Sequence, residues 1–340
     1  MDFHGNFNGY AGGSEYLLGQ RNLKAQIVRE IQALYEAGAP LFTKDAIRKI
    51  GDEVKLFKQG EPEPREITLR GVNGVDYKQF VVPPARSLSY DQTPCKWNPL
   101  IYYESIEALT IWEKPYYHSL ENAYLPMTIA HGSESLDEEE AGPSTGDLRR
   151  AFQDVQRQWM ESEYQENLRA MLNSLEIPFT LDKVVAFALG GPTLGPNIDA
   201  RSITQHALVS TIHSTLLQRG VLSKTSKRYV QDPAYNRTEK DVLVSEGFTI
   251  LDDPEGFLTM DDSSILVSIS PNVPVKQIVT DICRPGIIIW DKGGFTSRAF
   301  PMTDPDSSRV TKMLEEEYHG MDLPFHECFS PLKIYIRKSS

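Results

Sequence analysis

Three carboxylates fall within four residues at Asp252-Asp253-Pro254-Glu255, directly after the apolar run Phe248-Thr249-Ile250-Leu251. Carboxylates this close repel one another unless a cation neutralises them, and their paired oxygens match a guanidinium in two-point geometry. A solvated turn is the plainer alternative, and magnesium, which favours one or two carboxylates, is a competing occupant. Asp232 and Asp291 end two other apolar runs and add negative charge to the same edge. The cluster therefore suits a cationic substrate group, and no metal-ligand set is assigned.

A second motif is the turn Gly190-Gly191-Pro192-Thr193-Leu194-Gly195, which closes the run 184–189. It is not GxGxxG, and Gly195-Pro196-Asn197 stands where a P-loop carries Lys and Ser or Thr, so no nucleotide cofactor is implied. The turn offers backbone N–H groups and the Thr193 hydroxyl at a helix entrance, where an anion or developing oxyanion is favoured. Alternatively its glycines only let a strand and a helix pack closely. His206 and His213 lie seven residues apart on that helix, a rise of roughly 10 Å, too far for two ligands of one metal. His206, in the first turn, is placed to touch a ligand, and His213 reads as a packed or surface histidine. The candidate substrate-binding set along this edge is Gly190, Gly191, Thr193, Arg201, Gln205, His206, Asp232, Tyr235, Ser270, Asn272 and Asp291.

Positioning these groups requires strands that end together. Apolar runs at 184–189, 228–230, 248–251, 264–269 and 286–290 alternate with helix-like segments, of which 202–219 stops at Gly220. That alternation predicts an α/β fold, a Rossmann-like parallel sheet with helices on both faces and ligands outside the carboxyl ends of the strands. Residues 1–146 read as a less regular α+β accessory region. It comprises a loose leader over 1–19, helices at 23–37 and 43–56, and strand pieces at 67–69, 80–82 and 100–103. A flexible linker at 132–146, containing Asp137-Glu138-Glu139-Glu140, closes it. The domain at 147–340 opens with one long helix over 147–175 and ends with a helix at 306–318 and a strand at 332–336.

The chain has 340 residues, 40% of them hydrophobic, and a formal net charge of −12. This is enough for a sizeable core and argues against a general nucleic-acid coat or a DNA partner. A local basic stretch, Lys224-Thr225-Ser226-Lys227-Arg228, remains. Cys95, Cys283 and Cys328 lack CxxC spacing, so neither a disulfide framework nor a zinc knuckle is indicated. No signal peptide and no run of membrane-spanning length is present, so a cytoplasmic protein without a membrane partner is expected.

The segments Arg201-Ser202-Ile203-Thr204-Gln205-His206-Ala207, Gln231-Asp232-Pro233-Ala234-Tyr235, Leu251-Asp252-Asp253-Pro254-Glu255-Gly256-Phe257, Ser268-Ile269-Ser270-Pro271-Asn272 and Ile289-Trp290-Asp291-Lys292, in this order, resemble fungal proteins of the sensitivity-to-red-light-reduced (SRR-like) family. The likeness is close over about a third of the chain. Many members of that family are known only as regulators or are uncharacterised. One fungal branch sharing the domain consists of arginine-containing cyclodipeptide synthases, in which an acidic motif is important. The resemblance thus implies catalytic importance for Asp252, Asp253 and Glu255, with arginyl-tRNA and a second aminoacyl-tRNA as partners and no cofactor. Bacterial cyclodipeptide synthases carry a serine nucleophile after the first strand, where this chain has Gly191-Pro192-Thr193, so no nucleophile is assigned. The enzyme reading makes Lys224, Lys227, Arg228, Arg337 and Lys338 candidates for tRNA phosphate contact. A regulatory module binding a small ligand or protein partner is the alternative, and a transferase with a nucleotide-like cofactor is a third.

Overall fold

In the computed structural model, residues 11–59, 63–83, 95–111, 122–135, 142–293 and 302–339 are described. The first half is built from short elements. Helix α1 (Ala11–Glu36) and helix α2 (Lys44–Gln59) precede a hairpin of β1 (Arg65–Arg70) and β2 (Asp76–Val81). A second antiparallel pair, β3 (Cys95–Tyr103) and β4 (Met127–Ser135), brackets the short helix α3 (Ile106–Thr110). The amphipathic spacing of α2 turns Ile47, Ile50, Val54 and Phe57 inward. The helix expected at 23–37 begins earlier, at Ala11, so the leader shortens. The strand β4 was not foreseen, and it extends into the segment read as linker. The acidic run 137–140 lies outside the described residues.

The second half opens with α4 (Thr145–Met160) and α5 (Glu163–Ser174). The single helix expected at 147–175 is two, because Ser162 accepts the N–H of Gln165 and caps a new start. Next come β5 (Leu181–Phe187), a small hairpin of β6 (Thr193–Leu194) and β7 (Asn197–Ile198), and helix α6 (Ala200–Gln218). Strand β8 (Leu222–Gln231), helix α7 (Arg237–Ser245), strand β9 (Phe248–Ile250), helix α8 (Glu255–Thr259), strand β10 (Ser264–Ser268), helix α9 (Val275–Ile282) and strand β11 (Ile287–Asp291) follow. Helix α10 (Ser308–Glu317), β12 (Tyr318–Asp322) and β13 (Leu332–Arg337) complete the chain.

Seven strands form one sheet in the order β12-β13-β11-β10-β5-β8-β9. The five strands from β11 to β9 are mutually parallel, and β13 and β12 add an antiparallel border. Both faces are buried, which is why these runs are almost continuously apolar. Val184, Ala186, Ile265, Val267, Ile287 and Ile289 pack on one face against α4 to α7. Val185, Phe187, Leu266, Ile288 and Trp290 pack on the other, sharing one core with α8 to α10 and the whole N-terminal layer. The fold is therefore a Rossmann-like α/β sheet, and the N-terminal half is an accessory layer fused to one of its faces.

Candidate functional site

Strand order fixes where a ligand crevice opens. Chain order along the parallel strands runs β5, β8, β9 in one direction and β10, β11 in the other, so the switch point lies between β5 and β10. Just beyond these two strands Ala188 (φ 57°) and Ser270 (φ 49°) both take left-handed backbone conformations that non-glycine residues avoid.

The glycine turn after β5 is tied down from the β8 side. Gly190 (φ 72°) donates its N–H to Asp232 Oδ2 at 2.8 Å. The Thr193 N–H and hydroxyl both donate to Glu239 Oε1, at 2.8 and 2.7 Å. Glu239 is 1% exposed and also accepts the N–H of Asn236 as one half of a capping box on α7. A Cβ on Gly191 would sit 2.7 Å from Glu239 Oε1, so glycine is what lets the carboxylate reach the turn. The expectation that the amides of Gly190 and Thr193 receive a substrate oxyanion is thus corrected: internal carboxylates already take both. Burial raises the Asp232 carboxyl, and its bonds from Ala234 and Gly190 oppose that rise. Glu239 was missed, although the spacing of Asn236 and Glu239 is a readable capping signature.

His206 is a second correction. It is fully buried, with Nδ1 2.8 Å from the Ser202 carbonyl and Nε2 2.9 Å from the Tyr235 hydroxyl. A neutral ring that donates from Nδ1 and accepts at Nε2 satisfies both. This brace joins α6 to the β8–α7 turn and holds Tyr235 buried. Arg201 and Gln205 both donate to the Cys328 carbonyl, at 2.9 and 3.0 Å.

Burial pulls the His206 pKa down to about 4 from an unfolded value near 6.5. Its contribution to stability is complete above pH 6.5 and disappears as pH falls towards 4. His206→Gln is expected to flatten this part of the stability curve, seen in urea unfolding between pH 7 and 4.5. An unchanged slope would mean that the imidazole titrates alike in the folded and unfolded chain.

The acidic turn belongs to β9, the outermost strand, rather than to the middle of the sheet. It nevertheless folds inward over β8 and β5. A Cβ on Gly256 would lie 2.6 Å from Gln231 Oε1 and 2.7 Å from the Phe187 ring, and Phe257 stacks on Phe187 with ring centroids 4.6 Å apart. The three carboxylates do not converge on one point. Asp252 is exposed, with Lys240 Nζ at 3.5 Å. Glu255 pairs with Lys55 of α2 at 2.6 Å. Asp253 is partly buried and accepts two bonds on Oδ1, from the Tyr103 hydroxyl at 2.9 Å and from Gln231 Nε2 at 3.0 Å. Burial pushes its carboxyl up to about 6, against the lowering effect of Tyr103, Lys58 and Gln231.

Across the switch point, Ser270 donates its N–H to Asp291 Oδ2 at 2.5 Å, and the Ser330 hydroxyl donates to Asp291 Oδ1. Asn272 is exposed. Asp291 therefore stabilises the strained turn after β10, much as Asp232 does after β5. The Ser268 hydroxyl, fully buried at the end of β10, has no partner among the described residues.

The basic candidates lie elsewhere. Lys224 lies near the start of β8, Lys227 pairs with Lys183 near the start of β5, and Arg337 ends β13 opposite the start of β11, so all lie towards the amino edge of the parallel strands. Arg228 donates to Ser210 Oγ and the Glu246 carbonyl and lies over the Phe248 ring. Arg337 donates to the Arg284 carbonyl, and Lys338 to the carbonyls of Glu315 and Glu316. Among the described residues, no group of three His, Cys, Asp or Glu is placed to hold a metal ion. No described helix is long and apolar enough to cross a membrane.

Comparison with known proteins yields one family. No curated protein matches the chain. The crystal structure of Thermoplasma acidophilum 1320 aligns at 10% identity over 58% of this chain and 99% of that one, with a TM-score of 0.26, a likeness too slight to support an argument. Residues 165–294 match the SRR1 domain, a span that runs from α5 to just past β11 and contains the glycine turn, Asp232, the acidic turn, Ser270 and Asp291. The five parallel strands and the carboxyl edge described above thus lie within a span similar to the SRR1 domain, which supports an SRR-like domain over residues 165–294.

Proposed function

We propose that the protein is an aminoacyl transferase of the cyclodipeptide synthase kind, joining arginine from its tRNA to a second aminoacyl group. The observation that carries this reading is Asp253. A carboxyl held near pH 6 at the carboxyl edge of a Rossmann-like sheet suits a group that takes a proton from an attacking α-amine and returns it. In the reaction the neutral amine of one aminoacyl ester attacks the carbonyl of the other, the C–N bond forms, and the tRNA hydroxyl leaves with a proton. The dipeptide closes by a second attack of the same type. Both esters are already activated, so no ATP is required. Asp252, exposed beside Asp253, supplies a carboxylate for a guanidinium.

A regulatory role is the second reading, and specific observations favour it. The amides of the glycine turn are occupied by Asp232 and Glu239, and the basic residues proposed for tRNA lie on the opposite edge of the sheet. The cations beside the acidic turn are instead Lys240 of α7 and Lys55 and Lys58 of α2.

The discriminating experiment incubates purified full-length protein with charged tRNAs and searches by mass spectrometry for arginine-containing cyclic dipeptides. Product is expected with arginyl-tRNA present and absent without it. No product from any pair of aminoacyl-tRNAs would leave the regulatory reading in its place.

A further inference from the structure

The acidic turn does not stand on the SRR1 domain alone. Two of its three carboxylates are engaged by side chains from residues that precede the SRR1 span: Tyr103 of β3 on Asp253 and Lys55 of α2 on Glu255. Contacts continue beneath them. A Cβ on Gly51 of α2 would lie 2.7 Å from the Pro254 ring, so helix and turn are in close apposition. The Tyr103 ring packs edge-on to Phe257 at 5.7 Å and tilted against Phe42 at 6.3 Å, which fixes the phenol before it reaches the carboxylate.

We infer that Tyr103 is a positioning residue of the site, a phenol supplied by the N-terminal layer that holds the Asp253 carboxylate in one orientation at the carboxyl edge. The inference rests on the reading of Asp253 as the proton-exchanging group. Lys55 is an exposed ion pair that contributes little by itself, so the weight falls on the tyrosine. Its geometry is that of an aimed donor. Asp253 Oδ1 receives the Tyr103 O–H and the Gln231 N–H together, while Gln231 Oε1 accepts the Gly256 N–H at 2.7 Å and ties the same glutamine to the turn. Two donors on one oxygen fix the carboxyl plane and favour its ionised form.

The charged groups around Asp253 are Lys55 and Lys58 from α2, Asp252 and Glu255 from its own turn, and Lys240 of α7, which pairs with Asp252. Removing the phenol withdraws a donor from the ionised form without changing any of these charges. The Asp253 titration should therefore move to higher pH.

The test compares full-length wild-type protein with Tyr103→Phe, which retains the ring packing. The Asp253 carboxyl is followed by carbon NMR on aspartate-labelled protein, with its signal assigned by its loss in Asp253→Asn. Tyr103→Phe is expected to raise the titration midpoint by roughly half a pH unit or more. The acid limb of the kcat/KM profile for dipeptide formation should move in the same direction, with KM changing less than kcat. An unmoved NMR midpoint would overturn the role of Tyr103 even if dipeptide is made. A moved midpoint in a protein that makes no dipeptide would sustain the positioning role and sink the enzyme reading.

Discussion

Asp253→Asn is expected to make the protein more stable and less active at the same time. Its folded-state pKa of about 6 lies above the ordinary value of 3.8, so folding takes up a proton between these values. Asp253 thus contributes stability that is complete below pH 3.8 and lost as pH rises through 6. At pH 7 the carboxylate is held ionised in a poorly solvated place, and two pK units correspond to roughly 2–3 kcal/mol. Asparagine keeps an oxygen for Tyr103 and Gln231 and carries no charge, so urea unfolding at pH 7 should shift up by about that amount. At pH 4 the gain should largely vanish. Dipeptide formation should fall at least tenfold, because an amide cannot accept the amine's proton. A residue that is kept at a loss in stability, and whose removal abolishes chemistry, is the signature of a functional group. Lower stability at pH 7 would instead make Asp253 a structural acceptor.

Much of the architecture was legible in the sequence because it depends on period and punctuation. The apolar runs that become β5, β10 and β11 are buried on both faces, and Gly190 and Gly220 mark real ends. The polar clusters that follow the parallel strands do fall on one edge. What the sequence could not show was pairing at long range. Tyr103 and Asp253 are 150 residues apart, and no local pattern in the β3 segment announces a partner at the end of β9. Strand order was equally hidden: β9 is short and precedes β10 in the chain, yet it lies at the far edge of the sheet, three places from β10. Composition also misled in one respect. A basic stretch such as 224–228 looks available for phosphate until β8 turns Arg228 onto Phe248 and the Glu246 carbonyl. The carboxylates Asp232 and Asp291 look in the sequence like charge awaiting a cation, whereas both satisfy backbone N–H groups of strained or tight turns, as Glu239 also does.

Asp304→Asn should give the largest rise in stability of any single substitution considered for this protein. Asp304 is 5% exposed and accepts the Lys276 N–H at 2.9 Å, at the start of α9, where no side chain of the helix's own cap residue does so. Lys276, 1% exposed, sends its Nζ to Asp306 at 2.7 Å and lies 5.7 Å from the centre of the Trp290 ring. Burial pushes the Asp304 carboxyl up to about 8, with Lys276 opposing and Asp291 and Asp306 adding repulsion. Since this folded value exceeds the unfolded 3.8, the stability it contributes is complete below pH 3.8 and lost as pH rises to 8. At pH 7 the fold must hold a proton that the unfolded chain releases, a penalty on the order of 4 kcal/mol before the weakened attraction to Lys276 is deducted. Asparagine presents the same oxygen to the Lys276 N–H without that penalty. Urea unfolding at pH 7 should therefore rise by about 3 kcal/mol, and the variant should lack the downward slope expected of the wild type between pH 5 and 8. Asp304→Ala separates charge from hydrogen bonding, because it removes the acceptor from the first turn of α9 and should recover only part of the gain. If Asp304→Asn were instead less stable than the wild type at pH 7, the ionised carboxylate would be a net partner of Lys276, and the buried proton would have to be reassigned.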